Sequence, residues 1–155
     1  MQAERIAPVL RPLTQDDFFS WVALLAESLE VNGMSYRDEI ALRIWQQLGF
    51  GTQPNQRSQL EAVVADRSGN LIGLALLLPS LSLTTGAVTL DVQLAYVHRA
   101  HRDEAAARAL IDEIQRRAHE LGVTEVRWLA ADETLLRIAG AGRAAELTVY
   151  ENQLD

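Results

Sequence analysis

The chain has 155 residues, 48% of them apolar and 23% charged, a composition that supports a buried core without covalent staples. It contains no cysteine, and all 14 of its cationic residues are arginine. That excludes disulfide frameworks, thiolate zinc and iron–sulfur sites, lysine Schiff bases and a Walker-type phosphate loop, while a net charge of −7 disfavours nucleic acid and anionic membranes as partners.

Residues 1–13 carry Glu4, Arg5, Pro8, Arg11 and Pro12, with no apolar stretch of signal-peptide length. The most apolar run, 71–83, is broken by Gly73 and Pro79 and is too short to span a bilayer. A cytoplasmic protein is therefore the expectation. His98, His101 and His119 lack an array of acids at ligand spacing, so no metal site is expected.

In chain order, residues 5–13 read as a short strand, and their two prolines confine it to a sheet edge. Thr14 followed by Asp16 and Asp17 is a helix start, and Phe18, Val22, Leu25 and Leu29 continue at helical spacing until Asn32-Gly33. Ser35 opens a second helix with Ile40, Ile44 and Leu48 on one face, followed by a polar loop over 49–58. Strands are predicted over 60–65, 71–78 and 87–97, separated by turns at 68–70 and 84–86. The 71–78 strand is almost wholly apolar, so it belongs at the sheet centre with both faces covered. Residues 102–121 form the clearest amphipathic helix, with Gly122 at its left-handed cap. A strand over 123–130, a short helix over 133–139 and a strand over 146–150 complete the order β-αα-βββ-α-β-α-β, a mixed α/β layer arrangement.

The segment Val97-His98-Arg99-Ala100-His101-Arg102-Asp103-Glu104-Ala105-Ala106-Ala107 leads from the third long strand into that helix. A helix start leaves several backbone N–H groups without partners, and together with the helix dipole they can cradle a phosphate. Arg99, His101 and Arg102 add positive charge there. Asp103 and Glu104 permit a second reading, in which the helix start is capped by its own carboxylates.

The element order and this segment resemble the GNAT superfamily of acyl-CoA N-acyltransferases, whose signature is roughly Val-x-Pro-x-x-Arg-Gly-x-Gly-x-Gly/Ala. Val97, Arg102 and Ala107 match, whereas Arg99, Asp103 and Ala105 replace the proline and two glycines, so the pyrophosphate loop is degenerate. The resemblance covers nearly the whole chain and implies one GNAT-like domain over 1–155, with a mostly antiparallel sheet and helices on both faces. It implies acetyl-CoA as cosubstrate and an amine of a small molecule or peptide as acceptor, without nucleic acid or membrane partners. Arg99, Arg102, Asp103, Glu104, Ala105, Ala106 and Ala107 would then surround the diphosphate. The backbones of Leu94, Tyr96 and Val97 would hold the pantetheine arm in a gap between 94–97 and 127–131.

An amine must lose a proton to attack a thioester, which calls for a general base. Asp91, an acid inside an apolar strand, and Glu61 on a neighbouring strand are the candidates, each with a solvated strand face as its plainer reading. Strand alternation places Asp91, Gln93 and Ala95 on one face and Leu90, Val92, Leu94 and Tyr96 on the other. The tyrosine that often protonates the departing thiolate in this superfamily corresponds to Leu136, which has no proton to give; Tyr150 and Tyr96 are the substitutes. Trp21, Tyr36, Trp45 and Phe50 lie where the superfamily shapes its acceptor pocket, although such spacing more often marks core. The alternative function is a catalytically inactive GNAT-like module for binding or homodimerisation through its C-terminal strands. A doubly wound nucleotide-binding fold is a poor match, given the missing Gly-x-Gly-x-x-Gly and three consecutive strands without intervening helices.

Overall fold

The computed structural model describes residues 6–51, 54, 57–101, 103–141 and 150–154. Its strands are β1 (Val9–Pro12), β2 (Glu61–Arg67), β3 (Asn70–Leu81), β4 (Val88–Val97) and β5 (Val126–Trp128). Its helices are α1 (Phe18–Val31), α2 (Asp38–Gln47), α3 (Glu104–Glu120) and α4 (Glu133–Ala139). The strands lie in the order β1-β2-β3-β4-β5, which puts the apolar β3 at the centre and proline-bearing β1 at an edge. Neighbours pair antiparallel except β4 and β5, which are parallel.

Both faces of the sheet are covered because both strand faces are apolar. On one, Ala107, Leu110, Ile111 and Ile114 of α3 and Leu135 of α4 pack on Ile72, Ala75, Leu77, Leu90 and Val92. On the other, Trp21, Leu24 and Leu25 of α1 and Ala41 and Trp45 of α2 pack on Val64, Leu74, Leu76, Leu94 and Tyr96. Trp21 and Trp45 are thus core, with Tyr36 and Phe50 partly buried against them. Trp45 lies 5.1 Å from Trp21 and stacks on Phe50 at 4.3 Å between ring centroids. Among the described residues no helix is long and apolar enough to cross a membrane.

Three sequence expectations need correction. The strand expected over 123–130 is regular only at Val126–Trp128. Helix α3 begins at Glu104 because Asp103 takes the extended backbone of an N-cap. The alternation expected along β4 is broken: Leu76 pairs with Leu94 but Leu77 pairs with Val92, so Gln93 is the extra residue of a β-bulge. Ala95 and Val97 therefore join Leu90 and Val92 on the α3 face, and Leu94 and Tyr96 turn to α1 and α2. The strand expected over 146–150 falls outside the described residues except for Tyr150.

The entry into α1 is held by a charged clamp. Asp17 accepts hydrogen bonds from both terminal guanidinium nitrogens of Arg11, at 2.7 and 2.9 Å, and from the Thr14 amide at 2.8 Å. The Arg11 guanidinium, more than the opposing effect of burial, holds the Asp17 carboxyl well below the usual carboxylate range. A carboxyl whose pKa falls on folding stabilises the native state above its unfolded value, about 4, and loses that contribution as pH drops through the lower folded value. Asp17→Asn is expected to lower stability at pH 5 and above, with the difference from the parent shrinking below about pH 4. Urea midpoints for both proteins between about pH 2 and 7 check this, and a constant offset over that range contradicts it.

Candidate functional site

The bulge at Gln93 decides what the end of β4 presents. Past it, the Tyr96 side chain turns toward α1, where its hydroxyl donates a short hydrogen bond to Glu27 Oε1. The other carboxylate oxygen, Oε2, lies 3.2 Å from His98 Nε2. His98 Nδ1 accepts from the Ala100 amide at 3.1 Å, which fixes the neutral ring with its proton on Nε2, facing Glu27. One carboxylate thus receives a phenol and an imidazole, yet its remaining lone pairs can still accept. Glu27 and His98 are about one third exposed, whereas Tyr96 is buried.

Strand β4 ends against a close-packed neighbour. The His98 amide donates to Ile72 O at 2.6 Å, and Gly73 lies opposite Val97. A methyl group on Gly73 would stand 3.1 Å from the Tyr96 carbonyl, so a side chain here would need that backbone to give by a few tenths of an ångström.

On its other edge β4 stays bonded to the following strand further than expected. Leu129 donates to Val92 O at 3.0 Å and Ala95 to Ala130 O at 2.9 Å, and Ala131 bridges Ala95. The gap expected between 94–97 and 127–131 is therefore closed at Leu94 and Ala95. Tyr96 and Val97 alone run past the last bridge to this strand among the described residues.

The chain then makes a short 3-10 turn, Arg99–His101, with Arg99 exposed, and enters α3. Arg102 lies outside the described residues. Asp103 caps the helix: its Oδ1 accepts from the Ala106 amide at 2.6 Å and its Oδ2 from Arg67 Nη2 at 3.1 Å. The Ala107 amide goes to Asp103 O. Both alanine side chains are buried in the α3 core, so their small size serves helix–sheet packing. Among the described residues the amides of Glu104 and Ala105 meet no acceptor, and both residues are exposed. The helix start combines both sequence readings: one amide is taken by a carboxylate and two stay open.

The expected bases do not gather here. Glu61 is clamped by the Nε and Nη2 of Arg117. It pairs with Leu77, four residues along β3 from Gly73, which sets it about 13 Å along the strand direction, and two strands across, from the end of β4. Asp91 is buried, accepts from Thr89 Oγ1 at 3.1 Å and faces Arg127 Nε at 3.6 Å. Each has an arginine partner. Tyr150 is fully open to solvent, and the Tyr96 hydroxyl is engaged with Glu27. Sequence reading missed Glu27 and Arg67. Glu27 is one of two acids on α1, and the only local signal is its place beside buried Ser28. Arg67 ends a strand in which it is among the buried residues.

A cavity of about 480 Å³ lies at the opposite end of the sheet, between Leu10, Leu13, Phe50, Glu61, Arg116 and Arg117. Its two α3 arginines are already paired with Glu113, Glu120 and Glu61. Among the described residues no cluster of acids and histidines has the makings of a metal site.

No family model matches this chain, and no curated protein does. Solved structures do. A ribosomal-protein-alanine N-acetyltransferase from Brucella melitensis biovar Abortus 2308 superposes over 96% of this chain and 100% of its own, with a TM-score of 0.67 and 23% identity. AAC(6')-Iy, solved with the bisubstrate analogue CoA-S-monomethyl-acetylneamine, gives a TM-score of 0.74 at 16% identity, again over 96% and 100%. A GNAT family acetyltransferase from Staphylococcus aureus subsp. aureus USA300_TCH1516 gives 0.65 at 11% identity over the same shares. The chain has the GNAT fold.

Proposed function

We propose that this protein transfers an acyl group, acetyl in the first instance, from a CoA thioester to an amine of a small molecule or peptide. The observation that carries the reading is the junction of β4 and α3. The strand end overruns the last bridge to its parallel neighbour and leads directly to a helix start with two open amides. The bisubstrate analogue bound by AAC(6')-Iy supports acetyl-CoA as donor for this fold. In this reading the diphosphate lies over Glu104 and Ala105 with Arg99 beside it, and the pantetheine arm runs along Tyr96 and Val97.

Glu27 is the group we assign to the amine. Its carboxylate faces the end of β4, partly open to solvent. It attracts an ammonium, takes its proton, and leaves a neutral nitrogen that attacks the thioester carbon. The C–N bond forms, the C–S bond breaks, the sulfur leaves as a thiolate, and the second proton that the nitrogen sheds passes through water to that thiolate. Tyr96 and His98 are positioning residues that hold both carboxylate oxygens in place. The overall negative charge suits a cationic acceptor.

The test is release of free thiol from acetyl-CoA in the presence of a panel of primary amines and N-terminal peptides. Amine-dependent release above the rate of hydrolysis supports the reading. No release from any donor or acceptor favours the inactive module. Two observations favour that second reading: the Asp103 carboxylate already seated on α3, and Leu136 where the superfamily keeps a proton donor.

A further inference from the structure

The guanidinium of Arg67 is buried and one partner short. Its Nε donates to Ile6 O at 2.8 Å, which fixes the plane of the group. Its Nη2 donates to Asp103, but Nη1 is buried without an acceptor. A buried unmet donor on a charged group is costly. The cause is geometric. A carboxylate facing a guanidinium can take both terminal nitrogens, as Asp17 does with Arg11. Asp103 cannot, because its second oxygen is held by the Ala106 amide. A two-oxygen anion is being asked to satisfy an arginine and a helix end together.

We propose that Asp103 and Arg67 form a latch over the amino end of α3, in which the carboxylate is a resident stand-in for a diphosphate group. A diphosphate has enough oxygens to meet both Arg67 nitrogens and the open amides of Glu104 and Ala105 at once. To enter, it must displace Asp103, whose side chain is about one quarter exposed and can turn outward. Arg67 stays where Ile6 holds it and becomes the buried cation of the site. It stands in for the close backbone approach that a glycine at position 103 would have allowed. Glu104, paired with Arg108 on the exposed helix face, is another acid at this mouth, and Arg99 is an exposed cation among the described residues. The ligand class is a diphosphate; that CoA carries it rests on the acyl-transfer reading above.

Calorimetric titration with inorganic pyrophosphate and, separately, with CoA tests the latch. Asp103→Gly removes the stand-in at little cost to the helix, since glycine is a tolerated N-cap. It is expected to bind both ligands at least tenfold more tightly than the parent. Asp103→Asn keeps the cap and loses the charge, and should fall between them. Adding Arg67→Gln to Asp103→Gly should abolish the gain, and Arg67→Lys, which keeps a charge at this buried position, should abolish most of it. Pyrophosphate and CoA affinities unchanged or weakened in Asp103→Gly overturn the latch, and that arm is decisive even where Arg67 variants fail to fold. A gain that persists with Arg67→Gln overturns the part assigned to Arg67. Tighter pyrophosphate binding without any acyl transfer upholds the latch and rejects the transferase. Transfer by the parent without a gain in Asp103→Gly does the reverse.

Discussion

Glu27→Gln is expected to lower kcat/KM for acyl transfer by about 10²–10⁴-fold while leaving CoA binding unchanged. The amide keeps the length of the side chain, its oxygen can accept from His98 and its NH2 can donate to the Tyr96 hydroxyl, but it cannot take a proton from an ammonium. The effect therefore belongs to proton transfer and to attraction of the cationic amine, neither of which involves the diphosphate end of the site. Tyr96→Phe tests the positioning role separately. It leaves the carboxylate charged but frees one oxygen, so it should cost much less and weaken the dependence of rate on acceptor concentration. Initial rates at saturating acetyl-CoA, with acceptor varied, measure both. Equal rates for Glu27→Gln and the parent, in an active preparation, would remove Glu27 from the chemistry.

Trp21→Ala is expected to be the most destabilising of the simple core truncations, by about 3–5 kcal/mol, lowering Tm by on the order of 10 °C. Trp21 is fully buried and touches both Phe18 and Trp45, so its loss opens a void between α1, α2 and the sheet. Trp21→Phe should behave differently from an ordinary large-to-small change. The indole N–H is buried without a partner, and phenylalanine removes that donor as it removes volume. Its cost should be less than half that of the alanine variant. Urea unfolding of the three proteins measures this, and similar midpoints for the two variants would show that the unmet donor carries no penalty.

Most of the fold was legible because it rests on periodicity and punctuation. The run from Leu71 to Leu78 reads as a central strand and is one, since apolar residues on both faces leave no face for water. Gly122 and Asn32-Gly33 end helices where their backbone geometry says they should. The failure in β4 has an equally simple origin. A bulge sets two residues against one, and a period of two has no way to show where that happens, so Gln93 reversed the assigned facing of Leu94, Ala95 and Tyr96 relative to Leu90 and Val92. The site was less legible than the fold, because its parts come together from four elements distant in the chain. Glu27 lies 69 residues from Tyr96, and Arg67 lies 36 from Asp103. Asp91 is conspicuous in the sequence as an acid in an apolar strand, whereas its partner Arg127, across the parallel pairing, is not legible there. Asp103 was visible as a departure from the superfamily motif. Its engagement with Arg67 was not, because no local pattern links the end of one strand to a helix start.

Thermal unfolding of the parent protein with and without acetyl-CoA tests most directly whether the junction of β4 and α3 is a cofactor site. A ligand that prefers the native state raises Tm by mass action. With about 2 mM acetyl-CoA, a rise of several degrees that saturates with concentration and is matched by CoA is the predicted result. An unchanged Tm in both the parent and Asp103→Gly would contradict the account.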